Sequence, residues 1–247
     1  MIYSQIRKNL VHRLIDISYK SKEGHIGSSL SILDLLYGIY HSYNLFDQFV
    51  LSKGHASLGL YVILEHFDLL HDSLDNFCKF DSRLGGHPYC YSDSSIQCAT
   101  GSLGHGFPFA LGLSMAKKIQ KDIGRVYCII GDGEANEGTI WETALLASHM
   151  KINNLYCIMD YNHSGDRALG LGNIIEKFEA FGWDSTEIDG HNMSEILNAL
   201  KYRSSKPFFI LAHTIKGYGI PSIHNNPEWH HKSPNESEYQ FLVSQLQ

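Results

Sequence analysis

From the middle of the chain onward, apolar runs alternate with segments of helical spacing. Residues 125–130 (RVYCII) are apolar almost throughout, which predicts a buried strand. Residues 154–160 (NLYCIMD), 183–188 (WDSTEI) and 207–214 (PFFILAHT) read the same way. Between them, 139–150 (TIWETALLASHM) and 193–203 (MSEILNALKYR) repeat apolar side chains at helical intervals. Earlier, 30–43 and 57–70 predict helices flanking a short strand in QFVLS (48–52). Residues 107–121 predict a further helix that leaves the glycine-rich GSLGHG (101–106). Apolar strands separated by amphipathic helices predict an α/β fold, a parallel sheet with helices on both faces. No repeat, low-complexity tract or linker divides the chain, so residues 1–247 are expected to form a single domain. Residues 217–236 are rich in Pro, Asn and His and are expected to form a long irregular segment, which in a compact domain is usually functional or mobile.

Composition narrows the classes of function. A net charge of −6 without a long basic run argues against a nucleic-acid surface. The first twenty residues are interrupted by charges, so neither a signal peptide nor a membrane span is expected. The five cysteines contain no CxxC pair, and Cys128 and Cys157 lie in strand-like runs, as in a reduced, cytoplasmic chain. Histidine is the outlier. His25, His55, His87, His105 and His191 each follow a glycine, which puts them on turns, where functional side chains concentrate. Taken singly, each is equally open to a structural role.

The candidate chemistry starts at CIIGDGEANEG (128–138), where Asp132 stands between two glycines after a strand. A glycine turn at a strand end offers backbone N–H groups to phosphate, and a carboxylate there is out of place unless a cation intervenes. Asp160-Tyr161-Asn162 ends the next strand. Asp132 and Asn162 can therefore converge on one hard cation, magnesium or calcium, with phosphate oxygens and water completing its shell. The N–H of Gly133 is then free to meet phosphate. Taken alone, the GDG turn also describes an aspartate that caps a helix. A dinucleotide-binding reading, with Asp160 as its ribose-binding acid, fails on spacing, because Gly138 comes too late for GxGxxG. No Walker A sequence is present.

GDG followed thirty positions later by asparagine resembles the thiamine-diphosphate-binding motif. EGHIGSSLSILDLLYGIY, FVLSKGHASLGLY, FDSRLGGHP, TGSLGHG, IKGYG and NNPEWHHKSPNE resemble, in order, the conserved blocks of the transketolase family and cover most of residues 1–238. The resemblance implies a thiamine-diphosphate-binding fold with thiamine diphosphate and Mg²⁺ as cofactors. Asp132, Asn162 and a backbone carbonyl at Ser164 would ligate the metal. Gly133, His55 and His230 would meet the diphosphate, and Gly101 and Leu103 the aminopyrimidine. His25, His87 and His230 would line the substrate channel and move protons. Glu137 would join a carboxylate network linking paired active sites.

The family's second domain, which supplies the glutamate that activates the pyrimidine, has no counterpart before the chain ends. The resemblance therefore implies an N-terminal subunit that transfers a two-carbon ketol unit, from a ketose or ketose phosphate to an aldose, with a separate C-terminal subunit. Self-association into a heterotetramer is expected. HSGDRAL (163–169), His105 and Gln48 depart from the family pattern, and Arg167 is a candidate for a substrate phosphate or carboxylate. Those departures leave open a specialised ketol transfer. Other readings are a 2-oxo acid enzyme, a scaffold without activity and, weakest, a dinucleotide oxidoreductase.

Overall fold

The computed structural model describes residues 2–92 and 94–246, without the side chains of Ile2 and Arg167. Five strands form one sheet: β1 (Gln48–Leu51), β2 (Val126–Gly131), β3 (Leu155–Tyr161), β4 (Asp184–Asp189) and β5 (Phe208–His213). All neighbours are parallel, in the order β1-β2-β3-β5-β4. Because side chains alternate across a pleated strand, apolar runs fill both faces. Tyr127, Ile129, Tyr156, Ile158, Phe208 and Ile210 pack with α1 (Ile2–Ser21), α2 (Ile26–Ser31), α3 (Leu33–Ser42), α4 (Ser57–His66) and α8 (Met193–Lys201). Cys128, Ile130, Cys157, Met159 and Phe209 pack with α5 (Gly106–Gln120), α6 (Gly138–His149) and α7 (Ile174–Ala180). The chain closes with α9 (Glu236–Ser244). Cys128 and Cys157 are register partners inside the second core, where burial pushes both thiols well up.

Register gathers the strand ends. Leu51 pairs with Ile129, Gly131 with Asp160, and Tyr161 with His213. Lys53, Asp132, Asn162 and Thr214 therefore leave the sheet along one edge.

Three segments differ from the sequence reading. The helix expected over 30–43 breaks at Ile32 (φ −106°, ψ 2°), so that α2, buried along its whole length, ends with Ser31 at Asp160. β4 is an edge strand and stays half exposed, which its alternating Asp184-Ser185-Thr186-Glu187 allows. Residues 217–236 are less irregular than expected, with short 3₁₀ turns at Pro221–Ile223 and Pro227–Trp229. α9 then begins on a reciprocal cap between Asn235 and Glu238, an N-x-x-E spacing that was readable in the sequence.

That segment is tied down at its start by a buried acid. Asp34, with no exposed surface, accepts from Arg7 Nε and His191 Nδ1, both at 2.8 Å, and from the Tyr3 hydroxyl. His191 Nε2 accepts the Ile215 N–H at 2.9 Å, and Arg7 reaches the Tyr218 carbonyl at 3.2 Å. Arg7 also fixes Gly219 (φ +95°), where a Cβ would lie 2.3 Å from the guanidinium. Burial opposes ionisation of Asp34, but the His191 hydrogen bond and the Arg7 charge outweigh it and hold the carboxyl below its usual range. Asp34→Ala strands all three partners, and we expect a loss of about 3–5 kcal/mol in urea unfolding at pH 7. Since the native carboxyl titrates low, its contribution is present at neutral pH and fades on acidification. The gap between wild type and variant should shrink below about pH 4.

Candidate functional site

Asp132 follows the last residue of β2, and its two oxygens have different fates. Oδ1 accepts the Gly133 N–H at 2.7 Å and caps the 3₁₀ turn Gly133–Asn136. Oδ2 is buried and meets no donor at hydrogen-bond geometry among the described residues, although the Gly165 N–H lies close enough to act on the carboxyl. Oδ1 thus makes the cap, and Oδ2 is the oxygen on which the cation reading depends. Gly133, expected to offer its N–H to phosphate, spends it on this cap. Burial, and then the charge of Asp160, raise the Asp132 carboxyl, with backbone N–H groups and Lys53 acting the other way. An unpartnered, desolvated carboxylate oxygen is costly unless a cation meets it.

The neighbours of that oxygen come from the end of β3. Asn162 Oδ1 accepts the Ser164 N–H at 3.1 Å, which folds residues 162–164 back on themselves. The next residue, Gly165, lies against the first turn: a Cβ on it would sit 2.6 Å from the Gly133 nitrogen. HSGDRAL therefore holds its glycine for contact with Asp132 and Gly133. His163 (φ +63°) turns outward to Asp166 at 2.8 Å. The Arg167 side chain lies outside the described ones.

Beneath both turns is a hub that the sequence reading did not identify. Asp160, fully buried, pairs with Lys53 Nζ and accepts from Ser31 Oγ, Thr214 Oγ1 and, at 2.9 Å, Asn162 Nδ2. Asn162 Nδ2 also donates to Ser31 Oγ at 3.1 Å. Asp160 ends β3 where a dinucleotide fold would place its ribose-binding acid, but its oxygens are fully engaged inside the protein. Glu134, also buried, does similar work nearby. Its Oε1 accepts from Ser52 Oγ and, at 2.8 Å, the Gly104 N–H, while Oε2 accepts the Gly131 N–H at 3.1 Å. It clamps the GSLGHG loop to the end of β2, and burial raises its carboxyl.

Facing the acid turn is a group of imidazoles. His25 lies 5.3 Å from His55 and 5.8 Å from His230, centroid to centroid, and His55 lies 6.3 Å from His230. His230 Nδ1 meets Lys216 Nζ at 2.7 Å, and Lys216 reaches Ser164 Oγ at 3.3 Å. Lys216 has donors only, so His230 Nδ1 accepts and its proton is on Nε2. His25 is lowered to about 4 by burial and then by His231 and His230. His55 is lowered to about 2 by burial and then by Lys53. His230 moves down for the same reasons, burial and then Lys216. A cleft of about 310 Å³ opens between the end of β3 and His230, lined by Asn162, Ser164, Thr214, Lys216, Asn225 and His230 among others.

The remaining candidates sit on the rim. His87 is exposed, and its ring covers Gly101, where a Cβ would meet His87 Cδ2 at 3.4 Å. Leu103 is half-buried, and its carbonyl accepts from His105 Nδ1 at 3.1 Å. Glu137 stands exposed at the N-cap position of α6, beside Gly104. Lys53, Lys216 and Gly165 were missed in the sequence, although Lys53 and Lys216 lie within SKGHA and IKGYG. A carboxylate, an amide and a backbone carbonyl are all hard oxygen donors and fit a divalent cation of the magnesium or calcium kind. Among the described residues no three His, Cys, Asp or Glu side chains form a metal-binding group.

Comparison with known proteins bears on the family and the fold. The family described as transketolase, thiamine diphosphate binding domain, matches residues 4–246. The chain is 35% identical over 253 residues to an apulose-4-phosphate transketolase subunit of Phocaeicola vulgatus, covering 95% of this chain and 90% of that protein. It is 32% identical over 265 residues to the 6-deoxy-6-sulfo-D-fructose transketolase subunit SqwG of a Clostridium species, covering 98% and 96%. The crystal structure of transketolase from Campylobacter jejuni superposes with a TM-score of 0.86 at 31% identity. The alignment takes in all of this chain but only 43% of that one.

The hub makes a direct prediction. Lys53→Met leaves Asp160 buried without its cation, so unfolding in denaturant should show about 3–5 kcal/mol less stability. Asp160→Asn in the same background removes the stranded charge and should recover part of that loss.

Proposed function

The chain belongs to the transketolase family, as its N-terminal, thiamine-diphosphate-binding part, and on that premise we propose a role for each residue of the cleft. The observation that carries the proposal is the buried Oδ2 of Asp132, without a hydrogen-bond partner among the described residues, on a turn that Gly165 packs against. Asp132, Asn162 and the Ser164 carbonyl would hold a magnesium ion, which would supply positive charge for a diphosphate. Gly133 contributes open space, since a Cβ there would meet only Gly165 Cα, at 3.7 Å. His55 and His230 contact the diphosphate from the opposite wall. Gly101 and Leu103 border the aminopyrimidine.

Thiamine diphosphate, when bound, supplies a carbanion that breaks and re-forms a carbon–carbon bond beside a carbonyl. The protein positions and handles protons around that chemistry. His25, His87 and His230 meet the hydroxyls of the sugar. Low proton affinity keeps His25 and His230 uncharged at neutral pH. Such rings orient hydroxyls by hydrogen bonding and exchange protons with basic alkoxides. His230 offers Nε2–H, because Lys216 occupies Nδ1.

The reaction is transfer of a two-carbon ketol unit from a ketose or ketose phosphate to an aldose, in combination with a separate C-terminal subunit. That subunit contributes the pyrimidine-activating glutamate. Two observations support a separate partner: the chain spans nearly all of two relatives that are themselves named as subunits, yet less than half of the Campylobacter jejuni transketolase. Those relatives are named for apulose 4-phosphate and 6-deoxy-6-sulfo-D-fructose, which favours a specialised ketol transfer over chemistry on 2-oxo acids. Phe109 on α5 and Leu145 and Leu146 on α6 are exposed large apolar side chains. They mark a face for self-association, with Glu137 at its edge, and the simplest assembly has two copies of each chain. No helix among the described residues is long and apolar enough to cross a membrane.

Asp132→Ala removes the only charged ligand of the cation. Calorimetry on the mixed subunits should show Mg²⁺-dependent cofactor binding abolished, and unchanged affinity would sink the metal assignment. The chain alone should bind thiamine diphosphate weakly and transfer no ketol unit. Adding the second subunit should raise affinity and restore turnover, because the two binding events are linked. Robust turnover without a partner would refute the split enzyme.

A further inference from the structure

His231 has no place in the roles set out above, yet it makes the tightest ring contact in the histidine group. It lies nearly parallel to His25, with centroids 4.4 Å apart and planes inclined at 23°. His55 and His230 approach the same ring steeply, at 60° and 78°. Among the described residues, His231 is therefore the only aromatic ring stacked on a face of His25. Its own side chain is 64% exposed, with Nε2 3.8 Å from the Glu23 carboxylate, so it stands between His25 and solvent.

The stack matters because no hydrogen bond among the described residues orients the His25 ring. That residue occupies the N-cap position of α2 without a capping hydrogen bond, and its ring makes no hydrogen bond among the described residues. A histidine ring without such a bond swings about its last torsion unless neighbours stop it. The backbone carrying His231 is firm by contrast. The 3₁₀ turn Pro227–Trp229 is capped by Asn226 on the Glu228 N–H at 3.0 Å, and Trp229 is buried. Contact with Glu23 is a surface interaction of little energy.

We propose that His231 is a positioning residue for His25, stacked on its outer face to fix the tilt of that ring in the substrate channel. This rests on the reading that His25 faces the sugar. The charged and titratable neighbours of His25 are His55, His87, His230, His231 and Lys216, with Lys53 behind His55 and Glu23 beyond His231. The group is basic apart from Glu23. Losing His231 exposes His25 to water, which makes His25 easier to protonate.

The test uses the isolated chain for an NMR titration of His25 and the two mixed subunits for ketol transfer. In His231→Ala the His25 midpoint should rise by about one pH unit. kcat/KM should fall about tenfold, with its acid limb displaced to higher pH in step. His231→Phe keeps a stacked ring and should recover most of the lost kcat/KM. An unchanged His25 midpoint and unchanged kcat/KM in His231→Ala would overturn the proposal. If the wild-type mixture transfers no ketol unit, the functional reading falls instead, and the NMR titration still decides whether His231 governs His25.

Discussion

The ammonium of Lys53 and the carboxylate of Asp160 meet in the interior, with 3% and 0% of their side-chain surfaces exposed. Two buried charges cost several kcal/mol each in lost hydration, and attraction offsets this only when the remaining hydrogen-bonding capacity is also filled. Here it is filled by Ser31, Thr214 and Asn162. Those partners come from α2, from the residue after β5 and from the residue after β3. Satisfying one ion pair therefore fixes where three chain segments end. The helix break at Ile32 and the amide orientation of Asn162 follow from it. With Nδ2 committed to Asp160, Asn162 Oδ1 is turned toward the Ser164 N–H.

Two opposite electrostatic conditions meet in the site. Asp132 keeps a buried oxygen without a hydrogen-bond partner among the described residues, in the field of Asp160. His55 and His230, by contrast, lie near Lys53 and Lys216 and resist protonation. Lys53 spends its charge on Asp160, and Lys216 on the ring of His230, so the imidazoles stay neutral donors and acceptors. A site in which the histidines themselves carried the charge would lose its proton-transfer capacity on binding an anion. The same separation accounts for Asp34 and His191, which lie outside the cleft. They anchor Ile215, immediately before Lys216, and thereby set the start of the segment that brings His230 and His231 over the cleft.

The sequence by itself determined the sheet, the helices on its faces and the acid turn. Continuous apolar strands can be buried only between two layers, and an aspartate inside a glycine turn has few physical explanations. His25, His55, Asp132 and Asn162 were legible because glycine turns and strand ends are local signals, whereas His230 entered only through the resemblance of its segment to a family block. Tertiary structure alone decided which oxygen of Asp132 caps its turn and which stays bare, since that depends on Gly165 arriving from the end of the neighbouring strand. It also decided that Asp160 is an internal partner of Lys53, because a buried pair separated by 107 positions has no signature in either segment. The stack of His231 on His25 belongs to the same class. Local sequence sets which side chains stand at strand ends and turns, but contact between distant turns is settled by the register and packing of the sheet that carries them.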